Sequence, residues 1–352
     1  MDSTDPLAEK KYYNALCALN HGELSDMKKL RVGFDTWAEA WGQLGDQRRL
    51  DPEQAWENLQ EFDIRLAFRG DANFPGLLAE APDAPIAIYY KGHLPTKDQR
   101  SISIVGTRRA TPIAKSATED FATQLAKAGV TVISGLAMGI DAAAHEGALA
   151  GGGKTTAVLA NPLDSVYPRQ HANLAKQILA AGGALISEYP LGSETFPSRF
   201  LERNRIVSGL SPATLVVEAP EGSGSLVTAN LALEQNREVF VVPGPISHEN
   251  YFGSHKLIRA GARLVTSISE IFEDLNWQNE TLPAEQLLNF PKVNLASNER
   301  LIFDSLRGAG VALEVDRIRE ITKMSAPEVS RNLTFLQIKG LIRESGGRYH
   351  LS

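Results

Sequence analysis

A single cysteine, Cys17, stands in a chain of 352 residues. One thiol can make neither an internal disulfide nor a cysteine-based metal cluster. Apolar runs are short as well. No stretch of about 18 apolar residues occurs, so no helical membrane span is expected. The first residues, MDSTDPLAEKKYYNAL, lack a basic region followed by an apolar run. No signal peptide is therefore expected, and the cytoplasm is the default location. The seven histidines are scattered without zinc-ligand spacing, so neither a metal nor a cofactor is expected. Two phosphate signatures are missing too. GGGKTT at 151–156 would need a glycine at Ala148 to make a P-loop, and Lys154 precedes a strand where a P-loop lysine opens a helix. No G-x-G-x-x-G follows the first strand of the central region, which disfavours a dinucleotide site.

What is present is ordinary globular composition, 43% hydrophobic and 22% charged, with a net charge of −6. The acidity concentrates in the first 95 residues. Residues 1–70 carry apolar side chains at three- and four-residue spacing and predict a helical N-terminal domain. Asp51-Pro52-Glu53 reads as a helix start, and Trp37, Trp41 and Trp56 as core. Residues 71–275 alternate continuous apolar strands (101–106, 130–135, 155–160, 184–188, 214–219, 238–244) with helices. That pattern predicts an α/β fold, a Rossmann-like doubly wound parallel sheet covered on both faces. Residues 276–297, interrupted by Pro283 and Pro291, read as a linker. Residues 298–352, three helices and a Gly-Gly hairpin, read as a C-terminal winged helix.

In such a sheet, ligands sit outside the carboxyl ends of the strands. The candidate loops are Gly106-Thr107-Arg108-Arg109, SGLAMGID (134–141), ANPLDSVYP (160–168), FPSRFLERNR (196–205) and EAPEGSGSLVTA (218–229). Small residues there let backbone N–H groups approach an anion, and helix N-termini add partial positive charge. Arg199, Arg203 and Arg205 crowd around Phe200. Alternating cations and an aromatic face suit phosphates and unstacked bases of a single strand. Ser134, Asp141 and His145 lie close in sequence but without a nucleophile elbow. Glu188 and Glu218 end strands near the site and keep a hydrolytic alternative open.

Taken in order, VGTRRAT, SGLAMGIDAAAHEGAL, YPRQHANLAKQI, LISEYPLG, FLERNRIVSGLS, VVEAPEGSGSLVTA and VPGPISHENYFGSHKLIRAGA resemble the DNA-processing protein A (DprA/Smf) family over about 73–271. The resemblance implies a non-enzymatic mediator that binds single-stranded DNA during natural transformation and loads a RecA-type recombinase. It implies DNA contacts at Arg108 in the Gly106-Thr107-Arg108 turn, at Arg203 and Arg205 on phosphates and at Phe200 on a base. Asn204, Ser223 and Ser225, and less directly Arg199, complete the expected set. It also implies self-association through the segment after strand 238–244, with His255, Leu257, Ile258 and Leu264 at a homodimer interface. Two departures stand out. Pro162 occupies a usually glycine-rich turn, and the tail helix 326–339 carries only Arg331 and Lys339 as cations. Such a helix is a poor reader of duplex DNA. Rival readings are a nucleotide-processing enzyme of phosphoribohydrolase type, from the faint likeness of EAPEGSGSLVTANLALE to its glycine-rich turn, and a winged-helix regulator with a ligand-sensing core.

Overall fold

The computed structural model describes residues 5–45, 50–96, 99–277, 295–309, 312–339 and 341–351. The chain divides into two compact units, Met1–Leu288 and Asn289–Ser352. The expected linker lies for the most part outside the described residues.

The first unit opens with four helices: α1 (Pro6–Leu19), α2 (Leu24–Gly33), α3 (Trp37–Leu44) and α4 (Pro52–Glu61). Asp5, Thr36 and Asp51 cap α1, α3 and α4 by accepting a backbone N–H from the first turn. Proline opens α1 and α4, where its missing N–H costs no bond. Next come β1 (Arg65–Phe68), α5 (Gly76–Glu80), β2 (Ala87–Gly92), β3 (Ser101–Val105), α6 (Pro112–Lys127), β4 (Thr131–Ser134), α7 (Ile140–Ala150) and β5 (Thr155–Val158). The unit continues with α8 (Ala172–Ala180), β6 (Ala184–Ser187), α9 (Pro197–Gly209), β7 (Ala213–Val216) and α10 (Gly224–Glu234). It closes with β8 (Glu238–Val241), α11 (Phe252–Arg259), β9 (Arg263–Leu264) and α12 (Ile268–Asp274).

The nine strands form one sheet in the order β1-β2-β6-β5-β4-β3-β7-β8-β9. From β6 to β9 every pairing is parallel, whereas β2 joins β6, and β1 joins β2, antiparallel. Alternate residues of each strand feed opposite faces. Ile102, Ile104, Leu215 and Phe240 pack with α6, α7 and α12, while Val105, Val216, Val239 and Val241 pack with α9, α10 and α11. Both faces are therefore buried, and the six strands expected from apolar runs are the six central ones. From β3 the chain steps outward through β4, β5 and β6, then returns to place β7 on the other side of β3. The order reverses between β3 and β7, where an open α/β sheet leaves a crevice for a ligand.

The expected boundary at residue 70 separates nothing. β1 starts before it and pairs with β2 beyond it. Tyr13, Leu16, Trp37 and Trp41 of the front helices share one core with Tyr89, Leu159, Leu174 and Leu185 of the sheet. Cys17 lies in that core, and burial pushes its thiol up to about 12.

In the second unit, α13 (Ser297–Ala309), β10 (Leu313–Glu314), α14 (Val315–Thr322), α15 (Ala326–Ile338), β11 (Ile342–Ser345) and β12 (Arg348–Leu351) enclose a small core of Ile302, Leu306, Ile318, Val329, Leu333, Leu336 and Ile342. Its sheet runs β10-β12-β11, antiparallel throughout.

Candidate functional site

The crevice at the switch point opens into a cavity of about 680 Å³. Its lining comes from four strand-end loops and from the helices α7, α9 and α10. The turn after β3 gives Gly106, Thr107, Arg108 and Arg109. The loop after β4 gives Gly135 and Ala137, and the first turn of α7 gives Asp141. Tyr167 comes from the loop after β5. Residues Pro220–Ser225 follow β7, and Phe200, Leu201, Arg203 and Asn204 come from α9. Of the expected DNA-binding residues, Gly106, Thr107, Arg108, Phe200, Arg203, Asn204, Ser223 and Ser225 all meet here.

Local chemistry fixes each part. The N–H of Thr107 donates to the Glu218 carbonyl at 2.7 Å, tying the arginine turn to the end of β7. Ser223 caps α10 by accepting the Ser225 N–H at 3.3 Å, and the two hydroxyls lie 2.7 Å apart. The Asn204 side chain donates to the Gly224 carbonyl at 3.2 Å, holding α9 against that loop. The positive end of α10 thus faces the same space as the arginines, an arrangement that favours an anion. Arg108 and Arg109 are exposed. The Arg108 guanidinium stands 5.1 Å from the centre of the Phe200 ring, within cation–π range.

The three arginines of α9 require correction. All are buried. Arg203 lies in the floor of the cavity and donates to the carbonyls of Gly135, at 2.7 Å, and Val158. Burial, with the Arg108 charge nearby, pulls its guanidinium down to about 10 against the attraction of Asp141. Asp141 itself is raised by burial while its carboxylate accepts the N–H groups of Gly135 and Ala137. Gly135 is needed for this fit, because a Cβ there would lie 2.5 Å from the Arg203 guanidinium. Arg205 does not line the cavity. It donates to Glu188 at 2.7 Å in a buried ion pair, with Asp83 at 3.9 Å. Arg199 turns toward the front helices, donating to the carbonyls of His21, at 2.6 Å, and Glu194. Its guanidinium lies 4.3 Å from the centre of the Tyr189 ring. Arg203 offers its charge from below, and Arg199 and Arg205 are structural here.

The self-association residues divide likewise. Leu257 is 7% exposed and belongs to the core between α11 and the sheet, so it is not a surface contact. Ile258 packs half-buried beside that core. His255 bonds the Gly244 carbonyl at 3.1 Å. Leu264, 49% exposed, lies on the terminal strand β9, which among the described residues pairs only with β8.

Ser134, Asp141 and His145 form no catalytic set. The Ser134 hydroxyl lies beside Asp141 but donates to the Ile104 carbonyl at 2.7 Å, so its proton is already committed. The Thr155 hydroxyl donates to the Val132 carbonyl, so its oxygen accepts from His145 Nδ1 at 2.7 Å, and Nδ1 carries the proton. Nε2 is left without a hydrogen-bond partner among the described residues. Burial first, then the His171 and Arg203 charges, depress this imidazole to about 3. A depressed folded value means stability that is fully present above the ordinary value near 6.5 and is lost as pH falls toward 3. The expected loss is about 1.4 kcal/mol per pH unit within that window. Urea unfolding of wild type and His145→Asn between pH 6.5 and 4.5 checks it. The wild-type curve should fall more steeply by that amount, and parallel curves would contradict it.

Arg109, Tyr167 and the backbone of Pro220–Gly224 also line the cavity, although they are not in the expected set of DNA contacts. The signal was present in each case. Arg109 shares the arginine turn, and the other two lie in strand-end loops already singled out.

The family model for DNA recombination-mediator protein A matches residues 65–276, the whole sheet from β1 to α12. The chain belongs to this family, the DprA/Smf proteins. Protein Smf of Escherichia coli (strain K12) is 40% identical over 277 residues, 78% of this chain and 74% of that protein. The solved DNA processing protein A of Streptococcus pneumoniae superposes with a TM-score of 0.59 at 35% identity, covering 64% of this chain and 78% of that one. That of Helicobacter pylori, whose structure concerns its single-stranded DNA binding mode, gives 0.54 at 31% identity over 61% of this chain and 96% of that one. Every crevice residue falls inside the span of the family model, 65–276, and α1–α4 and the second unit fall outside that span. No helix among the described residues is long and apolar enough to cross a membrane.

Proposed function

We propose that the chain binds single-stranded DNA in the β3/β7 crevice without chemistry on it, protects an incoming strand, and loads a RecA-type recombinase onto it during natural transformation. One observation carries the reading. The crevice gathers two exposed arginines, an aromatic ring and the glycine–serine opening of α10 into one open cavity, the combination that phosphates and unstacked bases require. The single-stranded DNA binding of the Helicobacter pylori relative supports it. The two strand-end carboxylates that kept a hydrolytic alternative open support it as well, because they are engaged elsewhere. Glu218 accepts from Thr111 and Asn250, and Glu188 holds Arg205.

The test is binding to single-stranded and duplex oligonucleotides of the same sequence at several salt concentrations. Single strands are expected to bind more tightly, with a log–log salt slope of about −0.7 per neutralised phosphate. A slope near zero sinks the reading. Release of free base from nucleoside monophosphates would favour the enzyme, and sequence-specific duplex binding the regulator.

The second unit, which we read as a winged helix, shows outward on α15 an apolar pair, Phe335 and Ile338, 47% and 75% exposed. That surface supports a role other than reading duplex DNA. For assembly, the open edge of β9 with Leu264 supports a homodimer, since an unpaired edge strand is a natural two-fold contact. Light scattering at tens of micromolar should give a dimer for wild type and a monomer for Leu264→Arg. A monomeric wild type ends the proposal.

A further inference from the structure

The two aromatic side chains of the cavity are unequally available. Phe200 is half-buried on α9. The Arg108 guanidinium stands 5.1 Å from its ring centre, and the ring of Tyr167 meets it at 5.4 Å and 62°. Its neighbours therefore already occupy much of the surface on which a base would stack. Tyr167 is 52% exposed, lines the same cavity, and sits on the loop after β5, across from the arginine turn. Its exposed ring shares the cavity wall with the exposed Arg108 and Arg109. The T-shaped contact with Phe200 supports the Tyr167 ring on one side. A preorganised ring loses little freedom on stacking, which is what makes tyrosine an effective contact residue.

We propose that Tyr167 is the base-stacking platform of the crevice, with Phe200 as its backing and Arg108 as the phosphate partner alongside. This rests on the single-strand reading above and refines it, because it moves the base from Phe200 to the neighbouring ring. A stacked base is worth about 1–3 kcal/mol, or roughly 5- to 150-fold in affinity, and does not depend on salt.

The experiment uses the full chain with three probes: an oligothymidylate, the same strand carrying 2-aminopurine, and a strand of abasic residues with the same phosphates. Tyr167→Ala should weaken oligothymidylate binding about tenfold while leaving the salt slope unchanged. Quenching of 2-aminopurine at one position should be lost with it. On the abasic strand, wild type and Tyr167→Ala should bind alike, because there is no base to stack. Tyr167→Phe should behave as wild type. Equal binding of oligothymidylate by wild type and Tyr167→Ala overturns the assignment and leaves the single-strand reading intact. So does a Tyr167→Phe variant as weak as Tyr167→Ala, because the hydroxyl, not the ring, would then be the contact. Failure of wild type to bind any of the strands overturns both.

Discussion

Arg108→Glu is expected to weaken single-strand binding about 100-fold and to lower the magnitude of the salt slope by about 0.7. Arg108 is on the surface of the turn after β3, where it packs on the cavity wall through Phe200. Replacing it leaves the buried core untouched, so the variant should unfold at the wild-type denaturant concentration. A charge-assisted hydrogen bond to phosphate contributes about 1.5–3 kcal/mol, and a carboxylate in its place repels the strand. The stated 100-fold corresponds to about 2.7 kcal/mol, which these two effects together supply. Arg108→Lys should fall between, because it keeps the charge and loses the planar fork. Fluorescence anisotropy with a labelled oligothymidylate across a salt series reads both quantities. A folded Arg108→Glu protein with wild-type affinity would remove the arginine turn from the site.

Arg205→Met is expected to cost about 3–5 kcal/mol of stability, the largest effect of any α9 arginine substitution outside the cavity. The cause is the partner left behind. Glu188 would remain buried at the end of β6 without the cation that both its carboxylate oxygens now accept from. Glu188→Leu combined with Arg205→Met removes both charges together, and replacing a buried pair by apolar groups is often neutral or stabilising. The double variant should therefore recover most of the loss in urea unfolding. It should also bind single strands as wild type does, because Arg205 does not reach the cavity. A stable double variant that has lost binding would restore Arg205 as a DNA contact and overturn its structural assignment.

These two arginines show what the sequence makes legible and what it hides. The arginine turn is readable because a strand of five buried residues ends just before Gly106, so the residues after it must emerge at the carboxyl edge of the sheet. The central strands are readable for the same reason, since burial on both faces demands continuous apolar runs. β1, β2 and β9 are not, because they are edge or antiparallel additions. β1 has four residues at the end of a helical stretch, β2 lies inside a proline-rich lead-in, and β9 has two residues. For α9 the sequence shows three cations on one short helix and gives no measure of depth. The helix is wedged between the sheet and α10, so positions 199, 203 and 205 turn inward. Glu188 at the end of a strand was the visible hint that a buried cation would be required. Glu202, the carboxylate on α9 itself, accepts from the Tyr189 hydroxyl at 2.9 Å.

The shared core of the front helices sets a condition on how the chain is made. Trp37 and Trp41 leave the ribosome early, yet they pack with Leu136, Leu159, Leu174 and Leu185. At synthesis rates of about 5–20 residues per second, the stretch from 41 to 185 takes roughly 7–30 s. For that interval the nascent helices have each other, as in the Tyr13–Trp37 contact, but the sheet-side part of their apolar face has no partner yet. Chaperone occupancy on stalled nascent chains should therefore peak before residue 185 emerges and fall after it.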